Sequence, residues 1–302
     1  MTQTKAVFWA LVVSFCFCSE VEQVSPPWGF VFKDWAGEPV DVIVYIPKGA
    51  HKNTNILIVI PGASRDTQRF HASWLSLAKE DTFVVVTVGA SKKYFPDEYS
   101  YNAGNVIDEG GNLLGADKWL FNVIEKIFKK VKEKHGFQTE KFYLFGHSAG
   151  GGFVHRYMLF MTDAPVVKAV AANPAFVTLP DNAVGYPFGL KNIPINNTMI
   201  SRWLEKDMAI VLGADDTGPR SKPLSNGSLA RKQGPSCLSR GKRLFRDAKK
   251  EAIKREVNFG WSLNIVPSVG HDNRLIAPHA RKFLFNEETK DQCQKKRNII
   301  KT

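Results

Sequence analysis

"FYLFGHSAGGGFVHRYM", residues 142–158, sets a short apolar run against a serine between glycines and then resumes with a second apolar run. The first run reads as a buried strand and the second as a helix. A chain that passes this sharply from strand to helix needs small residues at the bend. Gly146 and Gly150 stand on either side of Ser148 in the spacing G-x-S-x-G. That bend lifts a serine side chain clear of the sheet, and the N-terminus of the following helix favours negative charge there. Ser148 is therefore a candidate nucleophile. The competing reading is a small-residue turn chosen for packing alone.

Working outward, strand-like and helix-like stretches alternate on both sides of this bend, which predicts a parallel sheet covered on both faces. "PVDVIVYIP", "NILIVIPG" and "TFVVVTVG" read as strands before it, with a helix across "QRFHASWLSLAKE". Between residues 116 and 134, Leu120, Val123, Ile124, Ile127, Phe128 and Val131 recur at helical spacing, and Gly136 supplies a left-handed stop. After the bend, "VVKAVAAN", "DMAIVLGA" and "WSLNIVPSVGH" read as strands. "CLSRGKRLFRDAKKEAIKREV" and "APHARKFLF" read as helices. Residues 174–206, rich in Pro, Gly and Asn, read as an inserted loop or small cap.

A serine hydroxyl is a weak nucleophile until a neighbouring base takes its proton. Of seven histidines, His271 in "VPSVGHDN" follows the last strand on a glycine turn, where a loop leaves the carboxyl edge of the sheet. His147 adjoins the serine and is expected to turn away from it. His155 points into the fold, and His279 lies within the last helix. An acid that orients the base belongs at the end of "DMAIVLG", where "LGADDTG" offers two. Spacing from Gly213 favours Asp216, with Asp215 the alternative. Backbone N–H groups for a developing oxyanion are expected from Ala149, after the serine, and from Ala63 or Ser64 in "PGASRD". Pro61 has no N–H to give.

Composition sets the bounds. The chain has 302 residues. Lys5 precedes the apolar run Ala6–Cys18, too short to span a bilayer comfortably, so residues 1–18 are expected to be a signal peptide and residues 24–302 a single domain. A lipid anchor on Cys18 or Cys16 is the competing reading, disfavoured by Phe17 and Phe15 before them. Secreted or periplasmic placement follows, where Cys237 and Cys293 are free to pair. No Cys or His spacing suggests a metal site. From residue 222 onward there are 19 Lys and Arg against 7 Asp and Glu, a surplus equal to the whole net charge of +12. A basic face and a basic frayed tail, residues 288–302, account for it. Without aromatic-interleaved basic stretches, nucleic acid is not an expected partner.

"GHSAGG", "GADD" and "VGHD", in that chain order, resemble the α/β-hydrolase superfamily. "IPGASRD", "FYLFGHSAGGGFVHRYM" and "RKQGPSCLSRGKRLF" are similar, more narrowly, to secreted esterases related to polyhydroxybutyrate depolymerases and feruloyl esterases. The likeness runs from about Val40 to Leu284. It implies an eight-stranded, mostly parallel sheet with helices on both faces, serine esterase activity and no cofactor. Where relatives commonly carry His-Gly in the oxyanion turn, this chain has Pro61-Gly62.

The expected substrate is a carboxylic ester, either polymer-linked, with an anionic or aromatic polymer, or a small aryl or acyl ester. Tyr94, Phe95, Tyr99 and Tyr101 in a loop after a strand, and Tyr186 and Phe188 in the inserted segment, are candidate aromatic walls. Arg220, Lys222, Arg231 and Lys232 are candidate cations for a substrate carboxylate. A serine peptidase on the same scaffold and a silent polymer-binding protein are the alternatives.

Overall fold

The computed structural model describes residues 28–285. The expected signal peptide, Cys293 and the expected basic tail lie outside these residues. Eight strands form one sheet: β1 (Trp28–Phe32), β2 (Val40–Tyr45), β3 (Ile56–Ile60), β4 (Val84–Gly89), β5 (Phe142–His147), β6 (Val166–Ala172), β7 (Met208–Gly213) and β8 (Trp261–Val266). Their order across the sheet is β1-β2-β4-β3-β5-β6-β7-β8. β2 runs antiparallel to both β1 and β4, and every other pairing is parallel.

The central strands are apolar on both faces because both faces are covered. In β3, Ile56, Ile58 and Ile60 point into one core and Leu57 and Val59 into the other. The larger core is closed by α2 (Asn122–His135), α3 (Ala149–Phe160), α4 (Asn197–Glu205) and α7 (Cys237–Lys254). The smaller one is closed by α1 (Thr67–Asp81) and α8 (Asn273–Phe285), through Phe70, Trp74, Ile276 and Ala280. Two short helices, α5 (Pro223–Asn226) and α6 (Ser228–Gln233), precede α7.

Three elements depart from the sequence reading. The helix expected from residue 116 begins six residues later; Ala116–Lys118 form a 3-10 turn instead. Leu120 donates its N–H to Gly104 O at 2.8 Å, so a tertiary bond takes the place of the helical one. Residues 174–206 are not all loop. Asn196 caps α4 by accepting from Met199 N, and Ile200, Trp203 and Leu204 bury one face of its nine residues. The last helix starts at Asn273, ahead of Pro278, and Asn273 Nδ2 donates to Ser73 Oγ on α1 at 2.7 Å.

One buried cation ties these layers. Arg156 on α3 donates to Thr178 Oγ1 (2.8 Å), Asn102 O (3.1 Å), Gly152 O (2.9 Å), Phe176 O (3.4 Å) and Pro187 O (3.0 Å). Burial lowers its pKa to about 10, which still leaves it charged at neutral pH.

Candidate active site

Parallel strands end on the same edge, so the loops after β3, β5, β7 and β8 meet there. Ser148 sits between β5 and α3 with φ 60° and ψ −116°, a conformation that side chains rarely adopt. Close approach explains the glycines around it. A Cβ on Gly150 would stand 2.1 Å from Ile60 O, and one on Gly146 would stand 2.1 Å from Gly150 O. Ser148 N donates to Ala172 O at 2.9 Å, which fastens the bend to the end of β6.

Asp216 and His271 come together from loops 55 residues apart. His271 Nδ1 lies 2.6 Å from Asp216 Oδ2. A carboxylate only accepts, so Nδ1 carries the proton and Nε2 of the neutral ring keeps a lone pair. Asp216 is buried, receives Arg220 Nη2 on Oδ1 at 3.4 Å and takes a further hydrogen bond from the Cys237 thiol. Asp215, its neighbour, is exposed and donates its N–H to Val269 O at 2.9 Å. Asp216, not Asp215, is thus the residue that meets the imidazole.

Ser148 and His271 line one cleft of about 580 Å³, with Gly62, Ala63, Ala149 and Asn273. Ala149 is the first residue of α3, so its N–H has no partner within the helix. The turn after β3 packs directly on the bend: a Cβ on Gly62 would lie 3.4 Å from Ser148 Cβ. Tyr101 steadies that turn by donating from its hydroxyl to Pro61 O at 2.5 Å. Arg65 lies 3.3 Å over the Tyr101 ring and donates to Phe95 O and Asp97 O.

The aromatic expectation holds only in part. Tyr99 and Tyr101 line the cleft. Tyr94, Phe95, Tyr186 and Phe188 do not: Phe95 is buried in the core, Tyr186 is buried with its hydroxyl on Ala103 O at 2.6 Å, and Phe188 packs on Phe176 beneath the surface. Of residues 174–206, Ala175 alone lines the cleft. Arg220 and Lys222 line it, while Arg231 and Lys232 lie on α6 outside it. Sequence reading missed Arg65, Arg69 and Lys92, which also face the cleft. Of the three acids there, Asp97 accepts from Ser100, and Glu98 caps α5 across the cleft at Leu224 N (2.6 Å) and Ser225 N (3.3 Å). Five cations thus face three carboxylates along the cleft, with Arg220 paired to Asp216 and Arg69 to Asp66.

Asp216, Cys237 and His271 are the cluster among the described residues whose ligand atoms lie close enough for a metal, within 4.8 Å of one another. The residues do not fit one. A 2.6 Å Nδ1–Oδ2 contact is a hydrogen bond; an ion between them needs about 2 Å on each side. Burial beside Asp216 pushes the Cys237 thiol up to about 12, so it stays protonated.

No family model and no curated protein matches the chain. Solved structures do. Poly(aspartic acid) hydrolase-1 from Sphingomonas sp. KT-1 superposes with a TM-score of 0.83 at 36% identity, over 86% of this chain and 98% of that one. The chain belongs to the α/β-hydrolase family. Further resemblance comes from poly(3-hydroxybutyrate) depolymerase of Bordetella parapertussis, with a TM-score of 0.81 at 28% identity over 86% of this hydrolase and 89% of that chain. An S-formylglutathione hydrolase from Agrobacterium tumefaciens, at 16% identity and a TM-score of 0.54, shares the hydrolase fold. Among the described residues of the hydrolase, no helix is long and apolar enough to cross a membrane.

Proposed function

We propose that the chain is a secreted serine hydrolase that cleaves carboxylic esters of anionic, polymer-linked acids through an acyl-enzyme. The observation that carries the reading is the strained Ser148 in one cleft with His271, whose Nδ1 is held at 2.6 Å by Asp216. In the proposed cycle Ser148 Oγ attacks the ester carbonyl carbon and its proton passes to His271 Nε2. The tetrahedral oxygen takes the N–H groups of Ala149 and Ala63. Collapse breaks the bond to the alcohol, which leaves with the proton from His271. Water then gives its proton to His271, attacks the acyl carbon, and restores Ser148 as the acid departs.

Anionic character is supported by Arg69, Lys92, Arg220 and Lys222 along the cleft. It is supported too by the 36% identical neighbour, named for hydrolysis of a polycarboxylate. That neighbour's polymer is joined by amides, which favours a second reading: amide hydrolysis in an anionic polyamide. Secretion rests on the N-terminal run Ala6–Cys18. The test uses purified protein, a fluorophosphonate probe and three substrates: p-nitrophenyl acetate, poly(3-hydroxybutyrate) and poly(aspartic acid). Covalent labelling of Ser148 is expected, with ester turnover abolished in Ser148→Ala. Wild-type turnover in Ser148→Ala would refute the mechanism. Cleavage of poly(aspartic acid) without ester turnover would replace the first reading by the second.

A further inference from the structure

Asn173 directly follows β6 and is fully buried, with φ 42° in the left-handed region. Its side-chain amide has three partners, and each adjoins a different part of the candidate triad. Oδ1 accepts from Gly213 N at 2.8 Å; Gly213 in turn accepts the N–H of Asp216. Nδ2 donates to Gly270 O at 3.3 Å, the residue before His271. Nδ2 also lies 3.2 Å from Nε2 of His147, the residue before Ser148.

These partners fix the hydrogens. Gly213 N–H can only donate, so the atom facing it is oxygen; Gly270 O can only accept, so the atom facing it is the NH2 nitrogen. The second hydrogen of that NH2 group then points at His147 Nε2, which must accept. His147 is therefore a neutral ring with its proton on Nδ1. Its ring centroid lies 4.6 Å from that of His271.

We propose that Asn173 is a positioning residue for the candidate base: it ties the His271 loop to the bend at Ser148 and keeps His147 as an uncharged ring beside His271. The proposal rests on the assignment of Ser148, His271 and Asp216 above. When His271 takes the serine proton it becomes an imidazolium. A second imidazolium 4.6 Å away would oppose that charge in a water-poor site, whereas a neutral ring does not. The surroundings act in the same direction. Arg69 from α1, Arg220 from the segment after β7 and His271 from the loop after β8 face His147, with Phe70 of α1 6.3 Å away. Burial and these neighbours hold His147 well below the usual imidazole range.

Two measurements on the full chain test this. In the wild-type protein labelled with ¹⁵N-histidine, NMR is expected to show His147 with Nδ1 protonated, Nε2 bare and no titration from about pH 8 to about pH 5. A protonated Nε2, or titration in that range, overturns the proposal. In Asn173→Ala, kcat for p-nitrophenyl acetate is expected to fall about ten-fold with KM within about two-fold. In Asn173→Ala the same spectra are expected to show the His147 proton no longer confined to Nδ1, because the donor facing Nε2 is gone. A His147 that keeps Nδ1 alone protonated in Asn173→Ala, or a kcat that stays at the wild-type value, overturns the proposal. Asn173→Ser carries the same comparison if the alanine variant does not fold. Failure of the wild-type enzyme to label at Ser148 would end the hydrolase reading but leave the tautomer result standing.

Discussion

Acid should unfold this protein at a pH where most carboxylates are still ionised, and His71 gives the size of the effect. His71 on α1 is buried, its Nδ1 is 2.9 Å from Thr87 Oγ1 and its Nε2 has no partner. Burial lowers its pKa from 6.5 to about 4. Between these values the unfolded chain binds a proton that the folded chain refuses. The stability contributed is therefore complete above about pH 6.5 and is lost as pH falls. Integrated from pH 7 to pH 5, the loss is about 2 kcal/mol for this one site. His155 and His147 add in the same direction. His155 Nε2 accepts from Thr178 N at 3.0 Å and its Nδ1 faces Gly151 O, and both rings are held well below the usual range by burial. The assay is urea unfolding of wild type and His71→Leu at pH 7 and pH 5. The variant is expected to be less stable at both, because Thr87 loses its partner, but to lose about 2 kcal/mol less than wild type between them. An equal pH dependence in the two proteins would refute the reasoning. The same curves separate acid inactivation at the active site from simple unfolding.

Charge reversal at the cleft, in Arg69→Glu with Lys222→Glu, is expected to lower kcat/KM for an anionic ester about ten-fold or more relative to a neutral one, measured side by side. Cys237 should resist iodoacetamide at pH 8 in the folded protein and react at once in urea, read by mass spectrometry, since its thiol is buried and pushed up to about 12. Gly151→Ala would set a Cβ 2.4 Å from Ala172 O, so a melting temperature lowered by several degrees is expected, with a loss on the order of 1–3 kcal/mol by denaturant titration. N-terminal sequencing of protein recovered from the culture medium should begin near Ser19; an intact Met1 would refute the leader.

The bend at Ser148 was legible because several local signals agree there: an apolar run, glycines at fixed spacing and an apolar helix. His271 and Asp216 were legible by topology, since each follows a strand that must end on the same edge as β5. The choice between Asp215 and Asp216 needed the third dimension: Asp216 is buried with Oδ2 on His271 Nδ1, while Asp215 is exposed. Arg65 and Lys92 come from turns after β3 and β4, where no periodicity marks which face a side chain takes, and Arg69 comes from the first turn of α1. Tyr186 looked like a surface ring because its segment is rich in Pro and Gly, yet its hydroxyl finds Ala103 O and the ring goes inside. His147 was expected to turn away from the serine; it lines the same cleft, with its ring beside that of His271. Nothing in a linear pattern distinguishes those two directions. Asn173 carries no motif at all, and its significance lies wholly in the two strand ends and the His271 loop that its side chain touches.

The guanidinium of Arg156 has a consequence for how this enzyme tolerates change. The helix that follows Ser148 is moored, through one cation, to carbonyls at positions 102, 176 and 187 and to the hydroxyl at 178. Most of that anchorage belongs to the inserted segment, which contributes almost nothing to the walls of the cleft. A substitution that loosens the insertion is therefore transmitted as slack along the helix axis to the serine, without touching a substrate atom. The insertion behaves as a keel: unseen by the ligand, it holds the working end of the molecule on course.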